Sequence, residues 1–160
     1  MEPAYSLITT EADYRHACDV VIARAQYEIL IFDRDLSAPR LDEKSRIDLL
    51  TRFLAAEGLR HLRIVLHEPE ILRSRAPRLM QLFARFSHLI EIRQSPDNLR
   101  HLADTHILAD DNCAIRRFQF DQPRSALILD DPGAVHPWRQ RFEDLWEQSL
   151  PCLSVNATGL

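Results

Sequence analysis

Residues 99–117 hold the densest group of chemically reactive side chains in the sequence. Histidines, aspartates and arginines surround a short apolar segment and supply the side-chain types used for acid–base catalysis, phosphate contact and metal ligation. The candidates are His101, Asp104, His106, Asp110, Asp111, Arg116 and Arg117. This stretch is the first candidate for a functional site.

The spacing of these residues leaves several uses open. Asp104 and His106 share one face of a strand if that strand begins early, and with the neighbouring acids they would offer ligands to a divalent metal. The spacing matches no recognised zinc motif. His101 lies three residues before Asp104 and could form a shifted acid–base pair, although a histidine in such a loop is commonly a hydrogen-bonded structural residue.

A second group of polar residues follows three predicted strands: Asp33, Arg34, Asp35, His67 and Arg93. Ligands of open α/β sheets bind at the carboxyl ends of the strands, so this group is a second candidate site. Strand ends are polar in most proteins, which favours a structural reading of the same residues. The sequence has only three glycines and no Gly-rich phosphate loop, and it shows no nucleophile elbow for Ser-His-Asp hydrolysis. We expect no cofactor.

Size and composition indicate a single cytoplasmic domain. The 160 residues, 46% of them hydrophobic and 28% charged, are enough to bury a core. We expect residues 1–150 to form the domain and residues 151–160 to form a loose tail. Three widely spaced cysteines without a CxxC pair indicate reduced thiols, and the sequence shows neither a signal peptide nor an apolar run of membrane-spanning length.

The net charge of −4 argues against non-specific binding to a polyanion. The charge is unevenly spread, because arginines concentrate in residues 59–117 while the flanks carry the acidic surplus. Lys44 is the single lysine. A solvated helix face explains the arginines more simply than a nucleic-acid surface does, but a local basic patch is compatible with the sequence.

Helices and strands alternate along the first part of the chain. A helix capped by Thr10 precedes a strand at 27–32, and a helix capped by Asp42 or Ser45 precedes a strand at 62–66. A third helix, kinked or started by Pro77, precedes a strand at 89–92. Parallel strands with helical crossovers follow from this order.

Strands at 105–109 and 113–119 should form an antiparallel hairpin, followed by a strand at 126–129. A last helix should begin at Pro137 and pack through Trp138, Phe142 and Trp146. The predicted fold class is α/β, with a mixed, mostly parallel sheet flanked by helices on both faces.

The order of elements over residues 10–149, with the closing stretch SALILDDPGAVHPWRQRFEDLW, resembles one half of a phospholipase D-like protein. Members of that superfamily carry the signature His-x-Lys-x(4)-Asp. The resemblance implies that the histidine attacks phosphorus, the lysine neutralises phosphate oxygens and the aspartate orients the histidine. Here the corresponding register is Asp104-x-His106-x(4)-Asp111, so Asp104 replaces the nucleophile and His106 the lysine.

The resemblance therefore implies a catalytically degenerate domain that binds a phosphate-containing ligand, nucleic acid or a protein partner. Arg116 and Arg117 stand near the site and, with His106, would contact phosphate. Because active members pair two signatures, a chain with one half implies a homodimer. The alternatives are a divergent phosphodiesterase or nuclease that uses His101 or His106, and a metal-binding regulatory domain.

Overall fold

We analysed a computed structural model of the chain, which describes residues 2–152. Within that range the chain forms eight strands and five α-helices. In chain order they are β1 (Ala4–Ile8), α1 (Glu11–Arg24), β2 (Glu28–Asp33), α2 (Lys44–Ala55), β3 (His61–Leu66), α3 (Ile71–Arg75), α4 (Pro77–Arg85), β4 (Ile90–Gln94), β5 (Thr105–Ala109), β6 (Cys113–Gln119), β7 (Gln122–Leu129), α5 (Pro132–Gln148) and β8 (Leu150–Pro151). Two short 3₁₀ helices, Ser87–Leu89 and Asp97–Leu99, flank β4.

The eight strands form one sheet in the order β1-β7-β6-β5-β2-β3-β4-β8. The α/β class and the mixed sheet are confirmed, but the sheet is mostly antiparallel, because only the β2–β3 and β3–β4 pairs are parallel. The predicted pattern fails after β4, where no helix crosses back over the sheet and β5 enters antiparallel to β2. The predicted hairpin is β5–β6, and β1 was not predicted.

Helices cover both faces of the sheet, as predicted. Alternate side chains of β2 point to opposite faces, so Ile29 and Ile31 join the core under α1, α2, α3 and α4. Leu30 and Phe32 join the second core, under α5. Every residue of β2 is buried, which makes this strand the centre of the molecule.

Capping confirms one predicted helix start and corrects another. Thr10 caps α1 by accepting a hydrogen bond from the Asp13 amide at 3.1 Å. The predicted cap of α2 by Asp42 or Ser45 is wrong, since Glu43 occupies that position without a side-chain bond. Asp42 instead accepts from the Leu79 amide at 2.9 Å and caps α4. That helix begins at Pro77, so the third predicted helix is broken into α3 and α4.

The last helix begins earlier than predicted. Asp131 accepts from the Ala134 amide at 3.1 Å, and Pro132 takes the first helical position. Pro137 lies inside α5, where its missing N–H removes one helical hydrogen bond. Either proline suits the first turn of a helix, and the cap that Asp131 forms places the start of α5 at Pro132.

Part of the predicted loose tail is ordered. Leu150 and Pro151 pair with β4, and the Cys152 amide donates to the Ile92 carbonyl at 3.3 Å. The rest of the predicted tail, residues 153–160, lies outside the described residues. Within residues 2–152, no helix has the length and apolar character needed to cross a membrane.

The Trp146 side chain anchors α5 to the sheet. Its ring stacks on Phe142 with a centroid distance of 5.9 Å, and the guanidiniums of Arg63 and Arg93 lie 5.2 and 4.1 Å from its centroid. We expect Trp146→Ala to lower the free energy of unfolding by roughly 3 to 5 kcal/mol, because it leaves a cavity beneath two cations. Urea unfolding measures this cost. Leu59→Ala, at a side chain that is 94% exposed, is the control and should change stability little.

Candidate functional site

The antiparallel pairing of β5 with β2 brings the two predicted groups of polar residues to one edge of the sheet. Phe32 pairs with His106, so the carboxyl end of β2 lies beside the amino end of β5. The carboxyl end of β3 lies beside that of β2 in parallel register. Residues that follow β2 and β3 therefore meet residues that precede β5.

A pocket of about 300 Å³ opens at this edge, and we call it the edge pocket. Four segments of the chain line it, after β2, after β3, before β5 and after β6. The lining residues are Arg34, His67, Glu68, Arg100, His101, Leu102, Ala103 and Phe120.

Glu68 lies between two guanidiniums in the edge pocket. It pairs with Arg34, and its other carboxylate oxygen lies 3.8 Å from Arg100. The hydrogen bond from Arg34 to Glu68 raises the pKa of the guanidinium. Arg34 also lies 4.5 Å from the ring centroid of Phe120. Both arginine side chains are 43% exposed, so two accessible cations face one carboxylate and the pocket retains excess positive charge.

His67 connects two segments of the chain beside the edge pocket through hydrogen bonds. Its Nε2 lies 2.9 Å from the Leu102 carbonyl, and its Nδ1 is hydrogen-bonded to the Ser95 hydroxyl. Burial lowers the pKa of His67, which favours a neutral ring that donates from Nε2 and accepts at Nδ1. Both nitrogens are engaged, so His67 positions the segment before β5. His101 lines the same pocket and is exposed.

His106 is buried beneath an ion pair. Its ring is 1% exposed, lies 5.5 and 6.1 Å from the ring centroids of Phe32 and Phe142, and has no hydrogen-bond partner for either nitrogen within residues 2–152. Burial lowers the pKa of His106 from 6.5 to about 3, so the ring is neutral at neutral pH. Asp104 is held by both terminal nitrogens of Arg141.

The two aspartates of the β5–β6 turn have different environments. Asp110 is buried with a positive φ of 54°, and its carboxylate accepts from the amides of Gln26, Tyr27 and Glu28 at 3.0, 3.0 and 3.1 Å. Asp111 is exposed. The acid that ties the hairpin to β2 is therefore Asp110.

Arg116 and Arg117 point to opposite faces of β6. Arg117 is 2% exposed on the α1 face, where it donates to both carboxylate oxygens of Glu11 at 2.7 and 3.0 Å. Its Nε donates to the backbone carbonyls of Gln119 and Phe120 at the end of β6, and its guanidinium lies 4.6 Å from the Tyr14 centroid. Arg116 lies on the α5 face, over the ring of Trp138. The structure thus places Arg116 and His106 on one face and Arg117 on the other.

The second predicted group is only partly brought together. Arg34 and His67 line the edge pocket, but Asp33 is 2% exposed and lies outside it. Burial, and next the charge of Asp35, raise the pKa of Asp33 to about 6. Asp35 accepts hydrogen bonds from Ser37, and Arg93 donates to the Trp146 carbonyl at 2.9 Å.

No group of three or more histidine, cysteine, aspartate or glutamate side chains is arranged to hold a metal ion in the part of the chain that the structure describes. Asp110 is occupied by backbone amides and Asp104 by Arg141, so the aspartates of the first group do not converge. The geometry gives the metal-binding alternative no support.

Residues 10–157 match the family model described as "Domain of unknown function (DUF7931)". The chain belongs to this family. No curated protein sequence matches the chain. The family match covers nearly every element of the sheet, including all four segments that line the edge pocket.

Solved structures with the same fold include members of the phospholipase D family. Nuc from Salmonella typhimurium is 18% identical with a TM-score of 0.66, over 96% of this chain and 100% of Nuc. TrmBL2, an archaeal chromatin protein with a novel mode of DNA binding, is 15% identical with a TM-score of 0.67 over 92% of this chain. The alignment covers 54% of TrmBL2, so the chain spans about half of that protein. The phospholipase D-like fold predicted from the sequence is confirmed.

Three charged or aromatic residues of the edge pocket, Glu68, Arg100 and Phe120, were not predicted as site residues. Glu68 follows the second parallel strand directly, and that position was a usable signal. Arg100 belongs to the reactive stretch but was not separated from the other arginines of the middle region. No sequence pattern marks Phe120 as a pocket residue. It is held beside the pocket by a long-range hydrogen bond from its amide to the Ala103 carbonyl at 2.7 Å.

The burial of His106 has a measurable consequence. Because its pKa is about 3 in the folded chain and 6.5 otherwise, the unfolded state takes up a proton first as pH falls, and stability is lost below about pH 6.5. We expect His106→Leu to remove this loss. The free energy of unfolding of the variant, relative to that of the wild type, should therefore rise by about 2 kcal/mol between about pH 7.5 and pH 5. Urea unfolding at both pH values tests this. His101→Leu is the exposed control, and an equal pH effect in both variants would contradict the buried neutral ring.

Proposed function

We propose that the chain is a phosphodiester-binding module that holds phosphate in the edge pocket without hydrolysing it. The observation that carries the proposal is the arrangement of Arg34 and Arg100 around the single carboxylate of Glu68. Guanidinium groups suit phosphate because their N–H donors form a planar fork. The cytoplasmic location predicted from the sequence is part of this proposal.

An entering phosphate would exchange with Glu68 for the two guanidiniums. Glu68 is the counterion of Arg34 and Arg100 in the structure. A phosphodiester carries one negative charge and can accept from both arginines, while the exposed His101 is a further donor at the rim. The affinity depends on how much more strongly the two guanidiniums bind phosphate than they bind Glu68. We therefore expect moderate binding of a single phosphate.

The sequence supports binding without covalent catalysis. The one lysine, Lys44, does not stand in a His-x-Lys pair. The register that ends on Asp111 has Asp104 at the histidine position, and the register one residue earlier, which ends on the buried Asp110, has Ala103 there. The nucleophile that the resemblance implies is missing in both registers.

Nucleic acid is the phosphodiester that we favour. The fold is shared with TrmBL2, for which DNA binding is described, and the net charge of −4 is compatible with local positive charge at one edge. A divergent phosphodiesterase is the second candidate, because His101 lines the pocket and is exposed. His106 is less suited to that role because its ring is buried.

Charge substitutions in the pocket should move phosphate affinity in opposite directions. We expect Arg100→Gln to weaken binding of inorganic phosphate and of a dinucleotide about tenfold, because one charge-assisted contact is lost. Glu68→Gln should strengthen binding, because the competing carboxylate is removed. Isothermal titration calorimetry measures both. Arg52→Gln removes the same charge from the exposed end of α2 and should leave affinity unchanged. Equal affinities for all three variants would contradict the proposed site and redirect the search to a protein partner.

The absence of hydrolysis is tested separately with a chromogenic phosphodiester. We expect no turnover above background by the wild type. Turnover that disappears in His101→Ala but persists in His106→Ala would instead establish the divergent phosphodiesterase.

We also propose that two copies associate, since the resemblance implies paired half-units and this chain aligns with the whole of Nuc as one unit. Light scattering at micromolar concentration should give twice the mass of 18.6 kDa. A strict monomer would contradict the dimer while leaving phosphate binding open to the calorimetric test.

A further inference from the structure

An arginine beside aromatic side chains lies on the α5 face and does not line the edge pocket. The Arg116 guanidinium is 3.2 Å from the Trp138 ring centroid and 5.7 Å from that of Phe118. Tyr5 on β1 lies near enough to influence its pKa electrostatically. We call Tyr5, Leu7, Arg116, Phe118 and Trp138 the Arg116 patch.

Strand pairing places this patch on one surface. Tyr5 pairs with Ile128 and Leu7 with Ala126, and Arg116 also pairs with Ala126. Paired residues of neighbouring strands share a face, so β1, β7 and β6 present these side chains together. Helix α5 does not cover the outer part, because Tyr5 is 67% exposed and Leu7 is 52% exposed.

The cation in the patch lacks an anionic partner. The Arg116 guanidinium makes no ion pair and no hydrogen bond with any residue in the range 2–152, and burial lowers its pKa. The nearby acid, Asp104, is already held by both nitrogens of Arg141. A half-buried guanidinium with free donors near the exposed ring of Tyr5 is complementary to an anion that carries flat apolar groups.

We propose that the Arg116 patch binds single-stranded nucleic acid, with a base stacked on the exposed ring of Tyr5 and a backbone phosphate on Arg116, whose guanidinium covers Trp138. Every base has a face that stacks on an aromatic ring, whereas the bases of a duplex are already stacked on each other. The surface therefore selects unpaired strands without selecting a sequence. This inference rests on the proposed function, because it names the ligand whose phosphates the edge pocket would also hold.

Binding of oligothymidylate of about 15 nucleotides tests the inference through tryptophan fluorescence. Trp138 lies in the patch, while the other tryptophan, Trp146, is 8% exposed beneath two arginines. We expect the strand to quench the emission, and Trp138→Leu to abolish the quenching. A duplex of the same length should bind at least about tenfold more weakly. Equal binding of duplex and single strand, or no binding of either, would overturn the inference.

Matched substitutions separate stacking from general effects on the protein. Tyr5→Ser and Arg116→Gln should each weaken binding of the single strand about tenfold. Tyr27→Ser is the control, because this tyrosine is 45% exposed at the amino end of β2, on the opposite edge of the sheet from the edge pocket. Equal losses for Tyr5→Ser and Tyr27→Ser would overturn the assignment of the patch.

Different results would contradict the proposed edge-pocket site and the proposed Arg116 patch. Loss of strand binding in Arg100→Gln with none in Tyr5→Ser and Arg116→Gln would leave the edge pocket as the binding site and overturn the patch. Loss in Tyr5→Ser and Arg116→Gln, with inorganic phosphate affinity unchanged by Arg100→Gln, would support the patch and contradict the proposed edge-pocket function.

Discussion

The position of the edge pocket depends on the Asp110 carboxylate, which holds β5 in register with β2. The Asp110 carboxylate accepts hydrogen bonds from three consecutive backbone amides that lead into β2. Its own amide donates to the Glu28 carbonyl at 2.9 Å. Arg139 of α5 donates to the Asp110 carbonyl and to the Glu28 carboxylate. A slip of one residue would exchange the faces of β5, moving its apolar side chains into the opposite core and His106 to the α1 side. The edge pocket exists because this register is fixed at the far end of the strands.

The elements with strong local signals were predictable from the sequence. The central strands are uninterrupted apolar runs between polar residues, and Thr10 stands where a cap was expected. Strand direction was harder to predict, because β5 follows β4 through only a short 3₁₀ helix and no pattern marks the missing crossover. The start of α5 was misplaced because Pro132 and Pro137 both suit a first turn, and the Asp131 bond that selects Pro132 is a tertiary-level detail.

The candidate site was predictable as a set of residue types but not as an arrangement. Nothing local shows that Arg117 finds Glu11 across the molecule, since the two are 106 residues apart in sequence. The same holds for His106, whose neighbours Phe32 and Phe142 come from a distant strand and helix. Long-range pairing turned a dense reactive stretch into residues with separate roles, and it moved the accessible charge to Arg34, which sequence reasoning had placed in a second group.

The counterion role of Glu68 has a kinetic consequence under the proposed function. A phosphate that enters the edge pocket would replace the carboxylate of Glu68, so the two guanidiniums would have an anionic partner before and after the exchange. Under the proposed function, Glu68 would pair again with the guanidiniums as each phosphate departs, so an unpaired intermediate would be avoided in both directions. On a polymer with a phosphate at every residue, rapid replacement lets the contact step from one phosphate to the next. The domain would then move along a strand instead of remaining at the position where it first bound.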